Sequence, residues 1–194
     1  MPRQVDREAR RGEILAAAVR VFARHGYADS RIEDIAREAG MAKGSVYLYF
    51  SSREDLLRAA FDGMSTRSEE LIAEVGRHPG DTSERLAFLV RSVLALLARE
   101  RDLARVLLDV WSAGARKPAW VDMAAFYQDY RAAVAALLDA RDEDGTEPSV
   151  APYEHATVLV GAIEGCVLQW LFDPSVDLAT LAEPIVTLLV PRTR

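Results

Sequence analysis

The sequence predicts an all-α protein, and three observations carry that prediction. Apolar residues recur at three- and four-residue spacing along most of the 194-residue chain, as one buried face of an α-helix requires. No stretch alternates convincingly with the period of two that a half-buried strand needs. Glycine, proline and charged breaks cut the chain into about nine helical segments.

Each segment has its own justification. Residues 7–24 place Ile14, Ala17, Ala18, Val21 and Phe22 on one face, and Gly26 stops the helix. Residues 31–39 form a short second helix. Its start is marked by Ser30 and Glu33, an S-x-x-E pattern in which each side chain can satisfy a backbone amide. Gly40 stops it, and a third short helix covers residues 43–50. Ser52 with Asp55 repeats the capping pattern before a longer fourth helix that reaches about residue 77. His78-Pro79-Gly80-Asp81 is a break. Residues 83–99 are apolar on nearly every side, with Leu86, Phe88, Leu89, Val90, Val93, Leu94, Leu96 and Leu97, so other helices must surround them. Residues 103–113 and 119–140 are two further helices separated by Gly114 and Pro118, and the charged, proline-containing residues 141–152 are a loop. Two final helices, residues 153–172 and 178–189, are divided by Asp173-Pro174.

The net charge of −6 argues at first against a nucleic-acid partner. Its distribution reverses that reading. Residues 1–55 hold ten Arg/Lys against nine Asp/Glu, and residues 56–194 hold fourteen against twenty-one. A protein so divided can touch DNA with its N-terminal end and hold the acidic remainder away. The start lacks the apolar core of a signal peptide, and no run of about 18 uncharged apolar residues occurs, so a soluble, cytoplasmic protein with no membrane partner is expected. The lone Cys166 lies in an apolar run and is expected to be a small buried hydrophobe. His25, His78 and His155 show no metal-ligand spacing with one another or with Cys166. No phosphate loop or nucleophile elbow is present, so neither an enzyme, a metal nor a cofactor is expected.

The functional signal begins at Gly26. A helix, a tight turn at Gly40 and a second helix within about twenty residues let one short helix enter a major groove while its partner braces it. The run HGYADSRIEDIAREAGMAKGSVYLYFSSREDL, residues 25–56, resembles the DNA-binding segment of the tetracycline-repressor (TetR) family of bacterial regulators. The resemblance is strong over residues 10–60. Elsewhere it rests on helix number, helix lengths and the final apolar pair.

Ile32, Ile35, Ala36, Met41, Val46 and Phe50 are available to fix the small helices against Val21 and Phe22. Lys43 opens the third helix, where an ammonium can reach phosphate or a guanine edge, and Gly44 lets the backbone come close. Ser45, Tyr47 and Tyr49 offer hydroxyls to phosphate, although either tyrosine alone could be a buried aromatic. Tyrosines bracketing Leu48 on so short an element cannot all point into one core, so at least one faces out. Arg31 and Arg53 match family positions that touch the DNA backbone. Ala42 departs from the hydroxyl common in relatives and can instead meet a thymine methyl. With Ser30 and Leu48 these residues complete the expected DNA-contacting set.

The resemblance divides the chain into a DNA-binding domain, residues 1–52, and a ligand-binding and dimerisation domain, residues 53–194. It implies double-stranded operator DNA, a small-molecule effector and a second copy of the chain as partners. Phe88, Val110, Trp111, Phe126, Tyr127, Tyr130, Glu164 and Gln169 are the candidate effector lining, with Trp120 and Trp170 among the nearby aromatics; the alternative for the aromatics is plain core. Glu164, set among apolar residues, needs either a cationic ligand or an internal arginine. Thr157, Gly161 and Gly165 form a small-residue stripe which, with Leu168, suits the helix pairing the family uses for dimers. Internal packing is the other use of such a stripe. The function expected is a ligand-responsive regulator, by family a repressor released from a palindromic operator by an apolar or amphipathic molecule. An activator, or a ligand-binding scaffold with an inactive DNA head, is the alternative.

Overall fold

The computed structural model describes residues 2–114, 122–139 and 151–189. The described residues contain helices and no strand. In order these are α1 (Pro2–His25), α2 (Ile32–Glu38), α3 (Lys43–Val46), α4 (Arg53–Arg77), α5 (Thr82–Arg99), α6 (Arg101–Gly114), α7 (Met123–Asp139), α8 (Pro152–Phe172), a 3-10 turn (Leu178–Thr180) and α9 (Ala182–Leu189).

They fall into two compact units. Of the described residues, the first takes in those within 1–64 and 102–122, so α6 belongs with the N-terminal helices although it lies far along the chain. Ile14, Ala17, Ala18, Val21 and Phe22 of α1 are sealed from solvent with Ile35, Val46, Phe50, Leu56 and Leu57. Met41, expected in that core, is only half-buried. Gly26 (φ +74°) and Gly40 (φ +66°) end α1 and α2 in the left-handed region, where a side chain would be strained. Beyond Gly26 the ring of Tyr27 meets Phe22 edge-on, with centroids 5.3 Å apart.

The Ser30–Glu33 capping pattern does not form. Arg31 occupies the N-cap position of α2 without a side-chain bond. Ser30 is buried and donates its hydroxyl to the Gly26 carbonyl at 2.6 Å, which leaves Glu33 to turn elsewhere. At α4 the pattern does form, shifted by one residue on the return. The Asp55 amide donates to Ser52 Oγ (3.1 Å), while the Asp55 carboxylate accepts from the amide of Ser51 (2.9 Å). The third helix is shorter than expected. Regular α-helix ends at Val46, and tighter turns carry the chain from Tyr47 to Phe50.

The second unit comprises the described residues within 65–101 and 123–194. Its central helix is α5, which packs against α7, α8, α9 and the 3-10 turn, as its all-round apolar surface requires. A reciprocal Asp81–Glu84 capping box starts it. Residues 178–189 are not one helix. Asp177 caps a 3-10 turn through the amide of Ala179, and α9 begins only at Ala182. Cys166 is half-buried rather than buried, and its thiol is free. Trp120 and the expected loop at residues 141–150 lie outside the described residues.

Candidate functional site

In the first unit α2, the turn at Gly40 and α3 form a helix-turn-helix whose apolar residues point inward and whose polar residues remain outside. Arg31, Ala42, Lys43 and Gly44 are exposed, as are Tyr47 (47 %) and Leu48 (72 %), so the face expected to meet DNA is open to it. Ser45 and Tyr49 are half-buried beside them. Among the described residues, nothing beyond its chain neighbours and the helix's own backbone comes within 4 Å of where a side chain at Gly44 would lie, so internal crowding does not demand glycine there.

Lys43 Nζ lies 2.5 Å from Glu33 Oε1. The pair holds the Glu33 carboxyl below its usual range and lifts the Lys43 ammonium above its own, in each case chiefly through this hydrogen bond. Glu33 is thus a member of the site, although its sequence pattern pointed to capping. The ten-residue separation offers no local spacing rule that would have paired it with Lys43.

Two expected DNA contacts are engaged inside the protein. Ser30 is buried, as described above. Arg53 lies with its guanidinium 4.9 Å above the ring of Tyr27 and donates to the carbonyls of Tyr27, Ala28 and Ser30. The turn between α1 and α2 exposes a fan of carbonyl oxygens at the start of α4, and a guanidinium there satisfies several at once. The same turn is held from α6, where Asp109 Oδ2 accepts from the Tyr27 amide at 3.3 Å. Burial first, then the charge of Glu54, pushes the Tyr27 phenol up to about 12.

The residues expected to line an effector site are divided between the units. Val110 is buried in the first. Trp111 is there too, half-buried, with its indole N–H shut away from solvent and without a hydrogen-bond partner among the described residues. The second unit gathers Phe126, Tyr127, Tyr130 and Glu164 into one cluster, all half-buried. Phe126 meets Tyr127 edge-on (5.7 Å) and lies parallel to Tyr130 (6.4 Å), and the Tyr127 hydroxyl donates to Glu164 Oε1. Burial raises the Glu164 carboxyl, opposed by the Tyr127 hydrogen bond and the charge of Arg131. The Tyr130 phenol is pushed up to about 12 by burial and by Glu164. Glu164 therefore has a phenol as its direct partner where a cation was expected.

Two members of the expected lining fall away from this cluster. Phe88 stacks on His78 instead, at 4.4 Å. Gln169 is exposed and donates to the Gly165 carbonyl of its own helix (3.3 Å). Trp170 lies under the guanidinium of Arg101, 4.7 Å from the ring centroid.

On the exposed side of α8, Thr157, Gly161 and Leu168 lie open with Val158 and Phe172, and Gly165 is half-buried among them. Leu188 of α9 is 83 % exposed. Among the described residues, no atom beyond the helix's own nearby backbone and chain neighbours comes within 4 Å of a side chain built at Gly161 or Gly165, so the two glycines are not required by packing there.

A helix-turn-helix that presents a cationic, hydroxyl-bearing short helix, joined to a larger helical bundle, defines a DNA-binding regulator of transcription. Similarity to known proteins gives its family. Residues 14–60 match the model of bacterial regulatory proteins of the tetR family, and residues 82–189, more than half the chain, match that of the C-terminal part of BetI-type transcriptional repressors. The chain belongs to the tetR family and is a ligand-responsive DNA-binding transcriptional regulator. It is 36 % identical over 94 residues to the fatty acid metabolism regulator protein of Bacillus subtilis (strain 168), a match spanning 48 % of each chain, about half the length of that relative. The solved FadR of Bacillus subtilis in complex with stearoyl-CoA is 25 % identical, with a TM-score of 0.77 over 94 % of this chain and 98 % of that one. A transcriptional regulator of Saccharomonospora viridis solved with choline is 28 % identical, with a TM-score of 0.78 over 95 % and 97 %. These relatives are transcriptional regulators, which are not enzymes.

Proposed function

We propose that the protein is a homodimeric repressor that holds an inverted-repeat operator with α3 of each subunit and leaves it when an apolar or amphipathic effector binds. The observation that carries this reading is the exposed face formed by Ala42, Lys43, Gly44, Tyr47 and Leu48. Four residues of α3 reach too few bases for useful specificity, so two copies related by a dyad are required. The pairing surface is the open side of α8 with Leu188. Its small residues at 157, 161 and 165 allow close helix approach, and its apolar residues at 158, 168 and 172 favour removal from water. DNA reading belongs to residues 1–52, and effector binding and pairing to residues 53–194.

The effector binds without a cofactor at the cluster of Phe126, Tyr127, Tyr130 and Glu164, in a cytoplasmic protein that carries out no catalysis. Stearoyl-CoA in one relative and choline in another support a small organic effector. The half-buried Glu164 carboxylate favours one that brings a hydrogen-bond donor or a cation to it. The test is to recover bound fragments from genomic DNA with the purified protein and footprint them. Two protected half-sites related by a dyad are expected, with light scattering giving twice the monomer mass. A footprint without symmetry from a monomeric protein contradicts the proposal.

A further inference from the structure

The cations of the first unit are mostly spent within the protein. Arg20 and Arg24 both hold Glu38, Arg10 holds Glu13, Arg37 holds Asp34, and Arg53 is tied to backbone carbonyls. Arg11 differs. It is exposed and has no carboxylate partner among the described residues, and the same is true of Arg7 one helical turn earlier on α1.

The guanidinium of Arg11 lies 4.7 Å over the ring of Phe50, the buried residue that closes the segment following α3. That contact uses none of the guanidinium's N–H donors, which lie in its plane and have no hydrogen-bond partner among the described residues. It also fixes a flat, permanently charged donor set against the residue that follows Tyr49, on a side chain that would otherwise have to be ordered when a partner arrives. Arg7 and Arg11, four residues apart, fall on one face of α1 about 6 Å apart along its axis. A planar cation with free edge donors is suited to bidentate contact with phosphate.

We propose that Arg11, continued by Arg7, is a phosphate-binding edge on α1 that grips the DNA backbone beside the groove α3 enters. The proposal rests on the reading of α3 as the recognition element. Its contribution is independent of base sequence, because phosphate carries none. It widens the DNA-binding surface of each subunit beyond α3 and raises affinity for any duplex, leaving discrimination to Lys43, Tyr47 and Tyr49.

The test is fluorescence anisotropy of the full chain with a labelled duplex of random sequence, titrated between about 50 and 200 mM KCl. Arg11→Gln should flatten the plot of log affinity against log salt by about 0.9 for each phosphate no longer neutralised, and weaken binding roughly three- to tenfold at the lowest salt. Arg7→Gln with Arg11→Gln should flatten it further, and Arg11→Lys should keep most of the slope. Thermal melting checks that each variant is folded. An unchanged slope in Arg11→Gln overturns the proposal, including the case in which affinity falls at constant slope, since that marks Arg11 as packing for Phe50. Lys43→Ala, measured in parallel, separates the two readings. A changed slope in Arg11→Gln with Lys43→Ala silent on operator duplex as well as on random sequence rejects α3 as the recognition element and supports the α1 edge.

Discussion

Lys43 of α3 and Glu33 of α2 form an exposed ion pair, Nζ to Oε1 at 2.5 Å, that joins the two helices of the helix-turn-helix. On the proposed reading of α3, DNA must compete with that pair. A phosphate that takes the ammonium leaves Glu33 facing the backbone as a like charge, so the carboxylate restrains binding to duplexes that offer nothing else.

Glu33→Gln should therefore strengthen binding to random-sequence DNA, roughly threefold at low salt, and narrow the gap between operator and random duplex. Competitive anisotropy measures both. If both affinities stay as in the unmodified protein, Glu33 does not restrain Lys43.

Arg53 is expected to act through the fold. Removing its bonds to the carbonyls of Tyr27, Ala28 and Ser30 in Arg53→Ala should destabilise the protein by about 1–3 kcal/mol in chemical denaturation. The salt dependence of DNA binding should remain that of the unmodified protein. Full stability with a flattened salt slope would return Arg53 to the DNA face.

The contrast between Arg53 and Lys43 shows what was legible in the sequence. The core of the DNA-binding unit could be read locally because Ile14, Val21, Ile35 and Val46 obey helical spacing, and glycines at 26 and 40 mark the turns. The exposed face followed by subtraction. Relations between residues distant in sequence were not readable. Ser30 looked like a cap until the fold buried it against Gly26, Arg53 looked free until Tyr27 came beneath it, and Asp109 reaches Tyr27 across 82 residues. In the second unit the all-apolar pattern of α5 announced its central position. The same pattern gave no means of telling that Phe88 would turn to His78 while Phe126 joined Tyr127.

Glu164 makes stability depend on pH in an unusual direction for a carboxyl. Burial raises its folded pKa, so folding penalises the charged form, and the associated stability is present below the unfolded value and lost as pH rises through the folded one. Glu164→Gln keeps an acceptor for the Tyr127 hydroxyl without the charge. It should raise Tm at pH 8 by on the order of 2 °C, an advantage that disappears at pH 4. A variant melting lower than the unmodified protein at pH 8 would mean that the ionised carboxylate is the stabilising form.

Leu168→Glu places a charge in the open apolar side of α8, where it should have little effect on the folded monomer and a large one on pairing. Sedimentation is expected to show a shift from dimer to monomer at micromolar concentration, with helical content unchanged. A variant that stays dimeric would remove α8 from the interface.

The most direct test of the DNA-binding face compares the unmodified protein with Lys43→Ala and Tyr49→Ala on the genomic fragments it selects. Each variant should bind its operator about five- to a hundredfold more weakly, with Lys43→Ala also flattening the salt dependence, while melting curves and helical content stay native. Unchanged operator affinity in both folded variants would contradict the account, because α3 would then not be the element that reads DNA.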